Sequence, residues 1–129
     1  MIDDDDDLRR ILRLSLTRVG GMEVREAASA ADGLAAARAD PPEVVLLDVM
    51  LPGSDGPALL QALRADDATR DVPVVFLTAE TRPAEVARLQ ALGAAGVLTK
   101  PFDPLTLPDE LRALIAGQRK TPGHQETPE

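Results

Sequence analysis

The 129-residue chain contains no cysteine, tryptophan or tyrosine, and its aromatic side chains are two phenylalanines. Without cysteine, disulfide bonds and thiolate metal sites are excluded. Basic residues are scarce: the chain has 14 Lys and Arg against 22 Asp and Glu, which gives a net charge of −8. This acidic balance argues against direct nucleic-acid binding. No apolar run approaches the roughly 20 residues of a membrane span, and the acidic N-terminus is not a signal peptide. We therefore expect one globular domain in the cytoplasm, without membrane contact.

Helical and strand-like patterns alternate along the chain. Helices are predicted near residues 8–19, 30–39, 55–66, 83–92 and 104–116, and strands at 23–27, 44–48, 73–77 and 96–99. This alternation predicts an α/β fold in which helices cover both faces of a parallel sheet. The polar residues 118–129 contain two prolines and predict a disordered tail after a domain of residues 1–117.

The most informative segment is Val44–Asp48. Four apolar residues lead into one carboxylate, and Pro52-Gly53 follows shortly afterwards. The continuous apolar run predicts a strand buried on both faces, which ends before the Pro-Gly pair. Asp48 then lies at the carboxyl end of a central strand, the edge where open α/β sheets bind ligands. Strand-end aspartates also cap loops, so on its own Asp48 could be either a functional carboxylate or a loop cap.

Other polar groups fall at the same predicted edge. Asp3 and Asp4 follow the first apolar residues, Thr78 ends one strand and Lys100 follows another. Carboxylates that lie close together need a proton or a cation, and Mg²⁺ prefers such oxygen ligands. A hydroxyl and an ammonium group suit phosphoryl oxygens. The set predicts phosphoryl transfer onto Asp48 beside a metal site.

At these residues the chain resembles the CheY-like receiver domain of two-component response regulators, over about 1–116. The spacings agree, with 44 residues from Asp4 to Asp48, 30 more to Thr78 and 22 more to Lys100. The local motifs also agree: Asp48-Val49-Met50-Leu51-Pro52, Gly56, Thr78-Ala79 and Lys100-Pro101-Phe102. The resemblance implies a doubly wound, flavodoxin-like sheet of five parallel strands in the order 2-1-3-4-5, flanked by five helices.

The resemblance also implies roles. Asp48 would accept a phosphoryl group from the phosphohistidine of a sensor histidine kinase or histidine phosphotransferase, which makes the chain a phosphoacceptor and not a classical enzyme. Asp3, Asp4, Asp48 and the Met50 carbonyl would hold Mg²⁺, while Thr78 and Lys100 would contact the phosphoryl group. The resemblance further implies that Ala79 keeps the approach to Asp48 open, and that Met50 and Glu80 tune how long the phosphoryl group survives. It also implies a cis peptide bond between Lys100 and Pro101.

These features predict a stand-alone receiver that switches a protein partner or a homodimer through its fourth helix, fifth strand and fifth helix. A pseudo-receiver that is never phosphorylated is the alternative. A haloacid-dehalogenase-type phosphatase needs an acid at position 50, where Met50 stands, and a dinucleotide site needs a Gly-x-Gly-x-x-Gly motif that is missing. The run Asp3–Asp7 could also be solvated charge or a tag remnant, and Asp5, Asp6 and Asp7 are interpreted as helix capping.

The chain departs from the family at two places. Only Met1 and Ile2 precede the acid pair, so the first strand is very short. This suggests a truncated chain or a start site placed too late, and otherwise a marginally stable fold that Mg²⁺ or dimerisation rescues. The fifth strand carries Val97 and Leu98 where the family often has an aromatic switch residue. A change at Thr78 would therefore reach the surface through side chains smaller than an aromatic ring, or through the backbone.

Overall fold

The computed structural model describes residues 1–2, 5–51, 54–78, 82–100 and 102–124, with the backbone alone considered at 50–51, 54–55 and 117–124. The helices are α1 (Asp6–Leu14), α2 (Ala30–Ala39), α3 (Gly56–Ala65), α4 (Pro83–Ala91) and α5 (Leu107–His124), and a π-helical turn (Ser15–Val19) continues α1. The strands are β1 (Val45–Asp48), β2 (Met50–Leu51), β3 (Ser54–Asp55), β4 (Val74–Thr78) and β5 (Gly96–Thr99). No helix in these ranges is both long and apolar enough to cross a bilayer.

The main sheet contains three parallel strands in the order β1-β4-β5. Asp48 pairs with Leu77 at the end of β1, and Thr78 pairs with Thr99 across β4 and β5. Because the strands are parallel, their carboxyl ends meet at one edge of the sheet. That edge carries the residues whose chemistry the sequence singles out.

Single-residue bridges extend the sheet on the other side of β1. Ile2 forms parallel bridges to both Ala27 and Leu47. Its amide donates to the Leu46 carbonyl at 2.8 Å, and its carbonyl accepts from the Asp48 amide at 2.9 Å. The prediction of five full strands is therefore met in the described residues by three strands and two one-residue bridges. Ala27 is the residue of the segment 23–27 that forms a bridge within the described part of the chain.

Alternate residues of the strands face two different cores. Val45, Leu47 and Phe76 pack in a buried cluster with residues of α2, α3 and α4. Leu46 and Leu77 pack in a second buried cluster with residues of α1 and α5. A strand that is apolar at every position needs cover on both faces, and the predicted helices on both faces are confirmed.

Side-chain caps fix the starts of two helices where the sequence predicts them. The Asp5 carboxylate accepts from the amides of Asp7 and Leu8 at 3.0 and 3.1 Å, which caps α1. The Ser29 hydroxyl accepts from the Asp32 amide at 3.2 Å, which caps α2. Asp5 therefore has the capping role expected of it.

Helix α5 differs from its prediction at both ends. The Asp103 carbonyl accepts from the Leu107 amide at 2.9 Å, so a turn comes first and the helix begins at Leu107 instead of near residue 104. The helix then extends beyond the predicted end near Ala116. Gly117 is no sufficient stop, because glycine inside a helix costs only about 1 kcal/mol. The boundary between a domain of residues 1–117 and a disordered tail stays a prediction.

Arg64 of α3 connects the loops that precede β4 and β5. Its guanidinium donates to the carbonyls of Arg70, Val72 and Gly93 at 3.1, 2.7 and 3.2 Å. Gly93 follows α4 with a φ of +101°, a left-handed conformation that glycine adopts without steric cost. Burial lowers the pKa of Arg64, and the charge of Asp71 opposes that shift. One side chain thus joins three stretches of chain at the amino-end edge of the sheet.

Candidate functional site

Asp48 is fixed at the end of β1 by hydrogen bonds on both sides. Its own amide donates to the Ile2 carbonyl at 2.9 Å, and the next amide, of Val49, donates to the Leu77 carbonyl at 3.0 Å. The residue is 7% exposed, so its carboxylate has lost much of its hydration. An ionised carboxylate in such a place needs a cation or hydrogen-bond donors nearby.

Lys100 supplies a cation at this position. Its Nζ atom lies 3.4 Å from Oδ2 of Asp48, and the two side chains are 26% and 10% exposed. This separation is long for a charge-assisted hydrogen bond, which is about 2.7–2.9 Å. The amide of Lys100 donates to the Thr78 carbonyl at 2.8 Å, so the residue continues the pairing of β5 with β4. Strand pairing therefore brings the lysine to the carboxylate.

Thr78 ends β4, the central strand of the three. The residue is 5% exposed, and its neighbour Leu77 pairs with Asp48 on one side while Thr78 itself pairs with Thr99 on the other. A hydroxyl-bearing residue thus stands at the strand end between the carboxylate strand and the lysine strand. The structure brings Asp48, Thr78 and Lys100 to three adjacent strand ends.

The predicted acid pair, Asp3 and Asp4, lies outside the described residues. Ile2 comes directly before the pair and is 4% exposed, with its carbonyl bonded to the Asp48 amide. The sequence therefore continues from a residue that is in register with the end of β1. Three positions implied by the resemblance also fall outside the described residues: Ala79, Glu80 and Pro101.

A small antiparallel ladder follows Asp48. Met50 pairs with Asp55, and Leu51 pairs with Ser54. The sequence did not predict this ladder, although two short segments separated by the two residues Pro52-Gly53 have the spacing of a hairpin. The backbone of Met50 is thereby fixed two residues beyond the carboxylate, and its predicted role as a metal ligand stays a prediction.

Gly56 lets α3 approach the end of β1 closely. A Cβ atom on Gly56 would lie 2.9 Å from Cα of Val49, 3.0 Å from the Asp48 carbonyl oxygen and 3.1 Å from the Phe76 ring. The amide of Gly56 donates to the Val49 carbonyl at 2.8 Å. Sequence reasoning noted Gly56 only as part of a motif, and its place at the start of the predicted helix was the available signal of a close approach.

The donor groups at this edge suit a hard divalent cation. Mg²⁺ takes oxygen ligands and commonly binds one or two carboxylates together with water. Asp48 offers a largely buried carboxylate whose contact with Lys100 is long, and two further carboxylates follow Ile2 in the sequence. Within the ranges that the structure describes, no three His, Cys, Asp or Glu side chains form a metal cluster. The donor chemistry fits a magnesium ion.

Comparison with known proteins identifies the family. The family model described as the response regulator receiver domain matches residues 1–112. The chain belongs to the receiver-domain family. It is 40% identical to the transcriptional regulatory protein CseB of Streptomyces coelicolor over 114 residues, which are 88% of this chain and 47% of CseB. It is 33% identical to the phosphate regulon transcriptional regulatory protein PhoB of Pseudomonas aeruginosa, covering 99% of this chain and 55% of PhoB.

A solved structure agrees with this receiver fold. The chemotaxis response regulator CheY4 of Vibrio cholerae superposes with a TM-score of 0.81 at 33% identity, over 88% of this chain and 93% of CheY4. The chain therefore has the flavodoxin-like α/β receiver fold, with five helices and a parallel sheet. It is a receiver domain as in two-component systems, a signalling module and not a classical enzyme. The chain spans about half the length of the curated relatives it matches.

Proposed function

We propose that this receiver domain accepts a phosphoryl group on Asp48 from the phosphohistidine of a sensor histidine kinase or a histidine phosphotransferase, with Mg²⁺ bound beside it. The observation that supports this most is the buried carboxylate of Asp48 with Lys100 Nζ at 3.4 Å, at the carboxyl-end edge of the sheet. A nucleophile for phosphoryl transfer needs a fixed position and nearby cations that offset the charge of the transferred group. Family membership gives the context.

The transfer converts one phosphorus bond into another. A carboxylate oxygen of Asp48 forms a bond to phosphorus as the phosphorus–nitrogen bond of the phosphohistidine breaks, and the electron pair stays on the imidazole nitrogen. Hydrolysis later returns the carboxylate and releases phosphate. The residue needs no general base, because an ionised carboxylate is already the nucleophile.

Lys100 and Thr78 have separate tasks in this proposal. The ammonium group of Lys100, held by the pairing of β5 with β4, moves its contact from the carboxylate to a phosphoryl oxygen. The Thr78 hydroxyl donates a hydrogen bond to another phosphoryl oxygen, so its position depends on whether Asp48 is phosphorylated. These two contacts involve the strand ends on one side of Asp48.

Magnesium would be held by Asp3, Asp4, Asp48 and the carbonyl of Met50. When bound, the ion neutralises part of the charge that several carboxylates and a phosphoryl group bring together. The position of Ile2 supports this assignment, because the acid pair continues from a residue bonded to the Asp48 amide. The same bridges, to Ala27 on one side and Leu47 on the other, support the sheet order 2-1-3-4-5.

The output we propose is a change in the surface formed by α4, β5 and α5, which binds a downstream protein or a second copy of the chain. Thr78 of β4 pairs with Thr99 of β5, so a displacement of the Thr78 hydroxyl changes the environment of β5 before that of α4 or α5. Leu98 of β5 is 8% exposed and Val97 is partly buried, so side chains smaller than an aromatic ring carry the change. Whether the domain acts alone stays a prediction, and so does its cytoplasmic location.

A pseudo-receiver remains the second candidate. Its support is that Ile2, which leads into the proposed metal ligands, is held in the sheet by bridges of one residue. A domain of this kind would fold and bind a partner without ever carrying a phosphoryl group. The same experiment distinguishes the two candidates.

The test is intact-mass spectrometry after incubation with acetyl phosphate, with and without Mg²⁺. The variants are Asp48→Asn, Thr78→Ala with Thr78→Ser as its conservative partner, and Asp67→Asn as a control for an exposed carboxylate paired with Arg70. Treatment with hydroxylamine identifies an acyl phosphate, because it cleaves such an anhydride and leaves serine and threonine phosphates intact.

We expect one phosphoryl group on the unmodified chain and on the Asp67→Asn variant, and none on the Asp48→Asn variant or without Mg²⁺. Thr78→Ala should slow the reaction, and Thr78→Ser should restore most of it. A folded chain that gains no mass under any of these conditions is a pseudo-receiver. A gain that persists in Asp48→Asn would refute the assignment of the phosphoacceptor.

A further inference from the structure

The outward side of α1 carries exposed apolar side chains. Five large apolar side chains are exposed in the described residues, and three of them lie on α1 and its π-helical continuation: Ile11, Leu14 and Val19, at 46%, 49% and 50%. The inward side of the same helix is buried, since Leu12 and Leu16 belong to the core cluster that also contains residues of α5. The exposed apolar residues are therefore additional to those that the core uses.

Four residues share one line along the outward side. Positions 7, 11, 14 and 18 are separated by four, three and four residues, which is the spacing of the contact line in a coiled coil. We call Asp7, Ile11, Leu14 and Arg18 the outer seam. All four residues are exposed. The seam is apolar in its middle and carries opposite charges at its two ends.

The outer seam is complementary to itself in an antiparallel arrangement. A two-fold axis midway along the seam places Ile11 opposite Leu14 of a second copy, and Asp7 opposite Arg18 of that copy. Each pair then occurs twice, as in any isologous contact. A parallel arrangement would instead bring like charges together at both ends, which is unfavourable. The charges of the seam therefore select one orientation.

The charged ends of the seam are accessible to a partner. Within the part of the chain that the structure describes, no ion pair includes Arg18, which is exposed. The Asp7 carboxylate lies 3.9 Å from the guanidinium of Arg10, and these side chains are 88% and 75% exposed. A long, exposed contact of this kind contributes little stability, so exchanging it for a pair with a second copy costs little.

Contacts with the start of α5 fix the C-terminal half of the seam. The Ser15 hydroxyl donates to the Pro104 carbonyl at 2.5 Å. A Cβ atom on Gly20 would lie 2.8 Å from Cβ of Pro108, so the π-helical turn is packed closely against α5. A helix that is already fixed loses little conformational freedom when it binds. The seam is therefore ordered before any partner arrives.

We propose that the outer seam of α1 binds the same seam of a second copy of this chain, in an antiparallel arrangement, and forms a weak homodimer. The contact needs no phosphoryl group and is separate from the surface formed by α4, β5 and α5, so the inference goes beyond the function proposed above. The seam is about 16 Å long at 1.5 Å per residue. Because so short a contact is smaller than a standard interface, we expect a Kd of about 10⁻⁴ M.

The net charge of the chain determines the ionic conditions for the test. Two chains of net charge −8 repel each other at long range. The ion pairs of the seam act at contact distance, whereas about 0.15 M salt screens charges that are more than about 8 Å apart. Association is therefore measured at that ionic strength, where the repulsion is screened and the contacts of the seam are retained.

The test is sedimentation of the full chain at concentrations from one tenth of the expected Kd to ten times its value, without Mg²⁺ or a phosphoryl donor. Leu14→Ser removes an apolar contact from the middle of the seam. Leu92→Ser is the matched control, because Leu92 is 40% exposed and follows α4, beside the other proposed surface. Circular dichroism verifies that each variant is folded.

Charge reversal tests the orientation. Asp7→Arg and Arg18→Glu each place like charges opposite one another at both ends of the antiparallel pair. Asp67→Arg is the control for the change in net charge, because Asp67 is an exposed carboxylate that is paired with Arg70. An equimolar mixture of the two reversal variants restores opposite charges at both ends, with the same total charge as two unmodified chains.

We expect Leu14→Ser to weaken dimerisation about fivefold or more, and Leu92→Ser and Asp67→Arg to leave it nearly unchanged. Each reversal variant alone should dimerise about tenfold more weakly. Their mixture should dimerise as well as the unmodified chain. These results do not depend on phosphorylation, so they stand or fall independently of the acetyl phosphate experiment.

Three outcomes would overturn the proposal. A chain that stays monomeric at every concentration would leave the seam to a different protein partner. A dimer weakened by Leu92→Ser and unaffected by Leu14→Ser would place the contact on the surface formed by α4, β5 and α5. Reversal variants that do not recover when they are mixed would exclude the antiparallel pairing.

Discussion

The two sides of β1 differ in how firmly they are paired. Toward β4 the strand is in register over four residues, and β4 is paired in the same way with β5. Toward the amino terminus it is joined to Ile2, which bridges onward to Ala27, each by a single residue. Thr78 and Lys100 belong to the first side, and the acid pair continues from the second. Within the described residues, the groups proposed to hold phosphate therefore rest on extended pairing, and the groups proposed to hold metal follow a residue that forms single bridges.

This difference implies that the two halves of the proposed site can be damaged separately. A change on the β4 side should unfold the domain, because β4 contributes to both cores. A change at Ile2 should act mainly on the metal side. Substitutions on the two sides of β1 can test that contrast.

The largest effect is expected at the centre of β4. Phe76→Ala removes a ring that is 0% exposed, and we expect it to lower the free energy of unfolding by about 3–5 kcal/mol. Urea unfolding followed by circular dichroism measures the loss. Phe102→Ala is the matched control, because that ring is only partly buried against the α1 and α5 cluster and should cost clearly less. Equal losses at the two positions would contradict the central role of β4.

Ile2→Ala should cost about 2–3 kcal/mol, at the low end for a buried isoleucine, because the described part of the chain holds Ile2 in the sheet by single-residue bridges. Its distinctive effect is on metal dependence. The Mg²⁺ concentration for half-maximal phosphorylation by acetyl phosphate should rise several-fold, since the acid pair follows Ile2. Val97→Ala is the control on β5, at the far edge of the sheet, and should leave the Mg²⁺ requirement unchanged. If both variants shifted that requirement alike, the metal side would not depend on Ile2.

The free α-amine should make stability depend on pH. Burial lowers the pKa of the Met1 amine from 8.0 to about 6, so below pH 6 both states are protonated and the cost of the buried charge is fully present. Above pH 8 both states are neutral and the cost is gone, so stability rises between pH 6 and pH 8, by about 1–3 kcal/mol. Urea unfolding at pH 6, 7 and 8 measures this rise in a His124→Gln background, which removes the other group that titrates there. A rise of the same size after Nα-acetylation would show that another group is responsible.

The smallest effect is expected at Glu26, an ion pair on the weakly bridged side. A hydrogen bond from Arg13 at 2.6 Å and the nearby charge of Arg9 hold the pKa of Glu26 below its usual 4.5. The stabilisation is therefore present above about pH 4.5 and is lost as the pH falls through the lowered pKa. Because the group is partly exposed, Glu26→Gln should cost at most about 1 kcal/mol at pH 7.

Glu26→Gln has a second readout that a remote ion pair lacks. The charge of Glu26 raises the pKa of the Met1 amine, so its removal should move the amine's titration to lower pH. Glu85→Gln, which breaks a pair with Arg88 inside α4, is the control and should leave that titration unchanged. NMR titration of the amine follows both variants. If the Met1 amine titrated unchanged in Glu26→Gln, the charge of Glu26 would have no effect on the pKa of that amine.

Local sequence patterns were sufficient for the elements that carry the site. The apolar runs before Asp48, Thr78 and Lys100 stop at polar residues, and the structure ends β1, β4 and β5 within one residue of those places. Caps at Asp5 and Ser29 were also readable from sequence, because a cap depends on neighbours within three residues.

Features that depend on distant neighbours could not be read in the same way. The π-helical turn Ser15–Val19 appears where the buried Ser15 hydroxyl donates to the Pro104 carbonyl at 2.5 Å, a partner 89 residues away. The close approach at Gly56 depends on the path of α3. The segment 23–27 has strand-forming residues, yet within the described residues it forms one bridge, between Ala27 and the distant Ile2.

The three carbonyl contacts of Arg64 have a mechanical consequence. They join the loops before β4 and β5 at the edge farthest from Asp48, which makes that edge a pivot for any relative rotation of the two strands. The five residues of β4 form a lever of about 17 Å, so a rotation of about 5° at the pivot displaces its far end by about 1.5 Å. A motion too small to disturb either core can thus be large at Thr78.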